Sequence, residues 1–381
     1  MSFELSDDQC AIRDMALSFA RDELAPHAIA WDQTKHFPID TLRAAGELGM
    51  GGIYVAEEHG GSALTRRDAV VIFEALSQGC PTIASYISIH NMVAGMIDAF
   101  GAPEQKAHWL PRLSRMEWLA SYCLTEANAG SDAAALRTRA VRDGDEYVLN
   151  GAKQFISGAG SSDLYLVMAR TGEDGPGGIS AFLIPKDTPG LSFGANEHKM
   201  GWNAQPTRAV ILEDVRVPAS ARLGAEGMGF KFAMKGLDGG RINIAACSIG
   251  GAQAALDAAL KYMGERKAFG QTIDRFQALQ FRIADMATEL EAARTFVHRA
   301  ATALDAKSPD ATRLCAMAKR FGTDTGFEVA NNALQLFGGY GYLSDYGVEK
   351  IVRDLRVHQI LEGTNEIMRL IVARSEIARM A

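Results

Sequence analysis

The feature that most limits how this chain can fold is a double change of hydrophobic period. Residues 1–118 carry apolar side chains at helical spacing, residues 119–225 switch to short runs rich in β-formers, and residues 226–381 return to a longer helical pattern. An amphipathic helix repeats every 3–4 residues and a half-buried strand every two, so one layer cannot accommodate both periods. The order predicts an α+β multidomain chain. It would have an N-terminal α-helical domain over 1–118, a middle antiparallel, barrel-like β domain over 119–225, and a C-terminal four-helix bundle over 226–381.

Local signals support each part. Ser6-Asp7-Asp8-Gln9 fits a capping box, and Ile12, Met15, Ala16, Phe19 and Ala20 follow at spacings of 3 and 4. Further helices are predicted near 40–50, 66–79, 87–100 and 103–114, with a loop over 54–65. In "EYVLNGAKQFISG", Asn150-Gly151 stands between two β-rich runs and predicts a hairpin. Strands are also expected at 163–170, 178–185 and 208–218. Long helices are expected near 227–265, 277–305, 309–337 and 364–379, with Ser308-Pro309-Asp310 as a start signal and Gly338-Gly339 as a stop.

The bulk numbers exclude several function classes. The net charge is −7 over 381 residues, which favours neither nucleic acid nor an anionic membrane surface. Five scattered cysteines with no CxxC pair suggest reduced thiols in a reducing compartment. No HxxxH or Cys/His cluster appears, so no metal site is expected. There is no run of about 18 apolar residues to span a membrane, and Met1-Ser2-Phe3-Glu4-Leu5 does not read as a signal peptide. A bacterial cytoplasm is the expected location. Neither GxGxxG nor GxxxxGK[ST] is present, so a nucleotide would bind by another route.

Five stretches carry polar or flexible residues in places that invite chemistry, and each also has a plain structural reading. "YCLTEANAGSD" (122–132) offers small residues and hydroxyls at Thr125, Gly130 and Ser131 to a planar ligand, or is a turn-rich linker. "DGGRINIAA" (238–246) sets Arg241 among apolar neighbours, where it would meet either a ligand or an internal carboxylate. "ERKAFGQ" (265–271) suits a phosphate or is a solvated helix end. "LQLFGGYGYL" (334–343) is a helix stop whose paired glycines also permit close ligand approach. In "ILEGTNE" (360–366), Glu362 lies between Leu361 and Gly363 just ahead of a helix. Apolar surroundings would raise its pKa toward that of a useful base, whereas a solvent-facing Glu would only complement the helix dipole.

Together, "YCLTEANAGSD", "NGAKQFISG", "ERKAFGQ", "LQLFGGYGY" and "HQILEGTNEIMR" resemble the acyl-CoA dehydrogenases, in that family's order and across essentially the whole chain. The resemblance implies an FAD-dependent α,β-dehydrogenation of an acyl-CoA. Glu362 would take the α-proton and a hydride would pass from the β-carbon to flavin N5. The thioester oxygen would be held by the Glu362 N–H and a ribityl hydroxyl, which is oxyanion-hole logic. Some family members place the base just before the arginine matching Arg241; here that position is Gly240.

The resemblance also assigns contacts by position. Tyr122, Leu124, Thr125, Gly130, Ser131, Phe155, Ile156 and Ser157 would line the flavin ring, and Thr364, Asn365 and Glu366 would meet the cofactor at the helix start. Arg266, Phe276, Gln277, Gln335, Leu336, Phe337, Gly338 and Gly339 would bind pyrophosphate and adenosine, partly across a subunit boundary in a homotetramer. Ser131, Asp238, Gly239, Gly240, Arg241 and Arg374 would contact CoA, with Tyr86 to Met92 near the closed end of the acyl pocket. Electron-transferring flavoprotein would be the acceptor.

"GWNAQPTRAV", "GGRINIA", "YISIHNM" and "RVHQILEGTNE" look most like the branch of the family acting on isobutyryl-CoA, in valine breakdown. Leu361 stands where a tyrosine is common, which would admit an α-methyl branch. Phe155 replaces a common tryptophan, and Ala127 stands where proline is common, so the local turn would differ. Alternatives within reach are a short-chain or 2-methylbutyryl-CoA dehydrogenase, an acyl-CoA oxidase, a flavin monooxygenase, or a non-catalytic helical acyl-CoA-binding protein.

Overall fold

The structure, a computed structural model, describes residues 4–380. Met1–Phe3, on which part of the leader reading rests, and Ala381 lie outside the described residues. The chain runs helices, then strands, then helices. The first group is α1 (Asp7–Phe19), α2 (Ala28–Thr34), α3 (Ile39–Glu47), α4 (Arg66–Gly79), α5 (Pro81–Phe100) and α6 (Pro103–Ser114). The expected capping box forms: Ser6 Oγ accepts from Gln9 N, and the Gln9 side chain accepts from Ser6 N.

The middle sheet holds β1 (Ala120–Cys123), β2 (Arg139–Asp143), β3 (Glu146–Ser157), β4 (Leu164–Arg170), β5 (Ile179–Pro185), β6 (Leu191–Phe193), β7 (Thr207–Pro218) and β8 (Arg222–Leu223). Strand order is β6-β7-β3-β2-β4-β5-β8, with β1 on β4. Pairing is mostly antiparallel, with β1 and β2 each meeting β4 in parallel. Every residue of β4 is buried, as expected for a strand covered on both faces.

The hairpin expected at Asn150-Gly151 does not form there. The β2–β3 hairpin turns between Asp143 and Glu146, and Asn150-Gly151 lies inside β3 at a register shift against β7. The Asn150 side chain exchanges two hydrogen bonds with Asp214, donating to Oδ1 at 3.0 Å and accepting from its N–H at 2.9 Å. That cross-strand pairing absorbs the polar residue which in isolation signals a turn.

The last group is α7 (Gly229–Glu265), a short hairpin of β9 (Lys267–Ala268) and β10 (Gln271–Thr272), α8 (Gln277–Asp305), α9 (Ala311–Leu336), α10 (Val348–Arg356) and α11 (Asn365–Ala378). The largest core cluster joins α1, α4, α5, α7, α8 and α9, and a second seats α5–α7 on the sheet. The 37-residue α7 crosses both clusters, so it links the helical layers to the sheet. Among the described residues, no helix is long and apolar enough to cross a membrane, and no group of His, Cys, Asp or Glu is arranged to hold a metal.

Candidate active site

The polypeptide leaves α10 through a short 3-10 turn and reverses at Glu362 and Gly363, which have φ of 56° and 89°. Both lie in the left-handed region, which costs a non-glycine residue energy and needs support from its surroundings. Thr364 then caps α11, its Oγ1 accepting from Ile367 N at 3.3 Å.

The reversal places the Glu362 carboxyl against α7. A Cβ built on Gly240 would lie 2.5 Å from Glu362 Oε2 and 2.8 Å from Cδ. Only a residue without a side chain leaves room for the carboxyl there. Glu362 as a whole is half-buried, but its Oε2 has no exposed surface and no hydrogen-bond partner among the described residues. Burial pushes the carboxyl up to about 7, against the pull of Arg241 and Lys319.

The dry environment comes only in part from the apolar residues that precede Glu362. Leu361 packs on the core, but Ile360 is 50% exposed. Close approach to α7 supplies the rest.

Two cations grip consecutive carbonyls of the reversal. Arg241 Nε donates to Glu362 O at 3.4 Å, and Lys319 Nζ donates to Gly363 O at 2.8 Å. Arg241 also donates to Asp238 Oδ1 at 2.6 Å, and Asp238 Oδ2 accepts from Thr312 at 2.7 Å. The internal carboxylate weighed for Arg241 is therefore present.

The β side supplies a second wall. Tyr122, in β1, has a buried hydroxyl without a partner among the described residues. Burial raises its pKa, and the charge of Glu362 raises it further. After β1, Lys153 Nζ donates to Leu124 O at 3.1 Å and to Glu126 Oε1 at 2.7 Å. Glu126 and Ala129 exchange reciprocal backbone bonds of 3.1 Å, so the turn closes with Ala127 in place of proline. Gly130 faces open space and Ser131 is exposed. At the end of β3, Phe155 has φ 60° and is 62% exposed, Ile156 is buried, and Ser157 O accepts from Ser121 Oγ at 2.6 Å. Thr125 O accepts from Gln154 N at 2.8 Å, tying the two segments together.

A cavity of about 570 Å³ lies at the junction of α7, α8 and α9 and is lined by Arg266, Arg282, Gln335, Leu336, Phe337 and the pair Gly338-Gly339. Neither glycine has an atom within 4 Å of its Cβ position. Phe276 and Gln277 open α8 nearby but do not line this cavity; Phe276 meets Phe269 edge-on, with centroids 6.1 Å apart. On α11 the Asn365 side chain turns inward to Lys319 and Asp324, while Glu366 and Arg374 are exposed. A separate cavity of about 280 Å³ beside α1, α4 and α8 contains none of the expected residues.

This geometry belongs to a known family. Three family models match in order: the acyl-CoA dehydrogenase N-terminal domain over residues 6–117, the middle domain over 121–215 and the C-terminal domain over 227–377. The chain belongs to the acyl-CoA dehydrogenase family. This acyl-CoA dehydrogenase is 56% identical over 374 residues to the mitochondrial isobutyryl-CoA dehydrogenase of Dictyostelium discoideum, covering 98% of this chain and 90% of that protein. It is 54% identical to the Bos taurus protein of the same name, with the same coverage. A chain in the solved structure "Electron transferring flavoprotein of Acidaminococcus fermentans: Towards a mechanism of flavin-based electron bifurcation" matches with TM-score 0.96 and 43% identity, over 98% of this chain and 99% of that one. The structure "PigA with FAD and proline" matches with TM-score 0.95 and 30% identity, over the full length of both chains.

Some residues that shape the site of this acyl-CoA dehydrogenase escaped sequence reasoning. Lys319 is one, although its position among Cys315, Ala318, Gly322 and Thr323 puts a lysine on the buried stripe of α9. Another is the chain from Tyr54 Oη to Asn243 Oδ1 (2.9 Å) and from Asn243 Nδ2 to Ser88 Oγ (3.0 Å), which ties α7 to the 86–92 segment of α5. Tyr54 and Asn243 are too far apart in sequence for any periodic signal to join them.

Proposed function

We propose that this acyl-CoA dehydrogenase oxidises isobutyryl-CoA to methacrylyl-CoA, as in valine breakdown, with Glu362 as the base for the α-proton. The observation that carries the chemistry is the dry, unpartnered Oε2 of Glu362 on the bare face of α7. A thioester α-proton is weakly acidic, so an ordinary solvated carboxylate is a poor match for it. Burial brings the Glu362 carboxyl up to about 7, close to the pH at which a base is most effective. Negative charge then develops on the thioester oxygen and needs a donor. Among the described residues, the backbone hydrogen bonds of the reversal use Leu361 N–H but leave Glu362 N–H free for that purpose.

The residues present fit FAD. Leu124, Thr125, Gly130, Ser131 and Phe155 to Ser157 would face the ring, where open backbone at Gly130 and the exposed Phe155 give a planar group access. Arg266, Gln335 and the uncovered Gly338-Gly339 would hold pyrophosphate and adenosine. Bound FAD supplies the hydride acceptor. Arg241, held by Asp238, would meet CoA, and Leu361 would leave room for the α-methyl branch.

Two relatives named isobutyryl-CoA dehydrogenase support the substrate. The match to a structure concerned with electron-transferring flavoprotein supports that acceptor. Five free cysteines support a reducing compartment such as a bacterial cytoplasm.

The test is anaerobic bleaching of the bound flavin by isobutyryl-, butyryl- and 2-methylbutyryl-CoA, for the wild type and Glu362→Gln. Fastest bleaching by isobutyryl-CoA, lost in the variant, is expected. Preference for another acyl-CoA would overturn the substrate. Full activity of Glu362→Gln would overturn the base, and rapid oxygen consumption during turnover would indicate an oxidase.

A further inference from the structure

Lys319 is fully buried in α9, yet it is a lysine. Burying an ammonium is costly unless its protons are all used and a countercharge is near. Its Nζ donates to Gly363 O and to Asn365 Oδ1, each at 2.8 Å. Asn365 is itself fixed, donating to Thr323 Oγ1 at 3.0 Å and to Asp324 Oδ1 at 2.7 Å. Thr323 Oγ1 donates back to Lys319 O at 2.8 Å, closing the ring of contacts on α9. The two acceptors of the lysine therefore lie just after Glu362, at the left-handed reversal and the first residue of α11.

We propose that Lys319 is a positioning residue: it clamps the Glu362–Gly363 reversal and presents a positive charge to the Glu362 carboxylate. The inference rests on the reading of Glu362 as the base. The clamp has one geometric effect and one electrostatic effect. Holding Gly363 O and Asn365 fixes the backbone from which the carboxyl reaches Gly240. Its charge favours the ionised carboxylate, offsetting part of the desolvation that makes Glu362 basic.

The charged groups acting on the pair are few. Lys319 feels Glu362, Asp324 and Glu366 as attractions and Arg241 as a repulsion, while desolvation brings it down to about 7. Glu362 feels Arg241 and Lys319. His358 feels the lysine, and burial holds that imidazole neutral, at about 3. Tyr122 feels Glu362. Arg241 thus supplies a second, permanent charge, so loss of Lys319 would shift the ionisation of Glu362 without abolishing it.

The test uses FAD-loaded Lys319→Gln and Lys319→Met, with flavin reduction by isobutyryl-CoA followed across pH. Both variants lose the charge, so the acid limb of the rate should move up by about one pH unit. Gln keeps a donor for one acceptor and Met keeps none, so the high-pH plateau should fall further in Met. A uniform loss of rate with an unmoved acid limb would overturn the proposal and leave Lys319 a structural residue.

A thermal double-mutant cycle with Glu362→Gln adds an activity-independent readout at pH 7, where both groups still carry charge. Changes in Tm from Lys319→Gln and Glu362→Gln that fail to add are expected, and simple additivity would overturn the coupling. If Lys319→Gln alone yields no holoenzyme, recovery in the double variant supports the coupling, and equal failure of both overturns it. Failure of the base assignment is distinguishable, because then Glu362→Gln would still reduce its flavin.

Discussion

At Glu362, the proposed role as base and the stability of the fold pull in opposite directions. Burial raises the carboxyl from 4.5 to about 7, so the folded protein prefers it protonated. A carboxyl with a raised folded pKa contributes most below its unfolded pKa, and that contribution is lost as pH rises through about 7. Replacing Glu362 with Gln should therefore raise Tm at pH 8 and leave it nearly unchanged near pH 4.5, read by differential scanning calorimetry. The same variant should slow flavin reduction by about 10²–10⁴-fold. In the wild type, the reduction rate should climb with pH to a plateau above about 7, following ionisation of this carboxyl. Gly240 sets where the carboxyl sits. An Ala at 240 would put its Cβ 2.5 Å from Oε2. Gly240→Ala should cost about 10²-fold in the reduction rate, as displacement of a reacting group does, with FAD still bound as judged by its absorbance. The local pattern at Glu362, a carboxylate beside a glycine at a helix entry, was visible in the sequence, but only the family resemblance chose between a base and a solvent-facing residue there. Its partners Gly240 and Lys319 come from two other helices, and no local period records that contact.

At the scale of elements, two helices went unpredicted, the seven-residue α2 and, with more consequence for the fold, α10. Four of its nine residues are buried, and two of those, Lys350 and Asp354, are charged. Its apolar Val348, Ile351, Val352 and Leu355 recur at helical spacing, but nine residues are too few for that period to stand out. Asp354 Oδ2 accepts from Lys350 Nζ at 2.6 Å and from Thr82 Oγ1 at 2.8 Å, while Oδ1 accepts from Trp202 N at 2.7 Å. One carboxylate thus joins α5, α10 and the loop ahead of β7. Lys350→Met should lower the unfolding free energy by about 3–5 kcal/mol, because it strands a buried charge; urea titration of the holoenzyme would show it. The misplaced hairpin has a different origin. Asn150-Gly151 carries turn chemistry, but Asp214 on a neighbouring strand satisfies Asn150, and β3 continues.

For the whole molecule, the α–β–α order was legible because each part holds its own hydrophobic period over many residues. Assembly was not legible in that way, since it depends on which apolar side chains remain outside the fold. Phe269, at the β9–β10 turn, is 96% exposed, and Tyr342, beyond the glycine pair, is 85% exposed, with Tyr340, Leu343 and Tyr346 also uncovered. Apolar side chains beside this cavity are what a surface covered by another chain presents, in keeping with the homotetramer that the family resemblance implies. Light scattering should return the mass of four chains. Phe269→Asp should reduce that mass and release FAD together, because Phe269 stands three residues after Arg266, which lines the cavity. Loss of assembly with full retention of FAD would separate the two.

The contact between Glu362 and Gly240 also constrains how this protein can diverge. A carboxylate delivered by the loop fills the volume that a side chain from α7 would need. Drift at one position is therefore tied to the other, though they lie 122 positions apart. A lineage that enlarged residue 240 would have to shorten residue 362 in step. One that moved the acid onto α7 would free the loop to become something other than a tight reversal. The missing side chain on α7 is thus an inherited commitment about which part of the chain carries the acid.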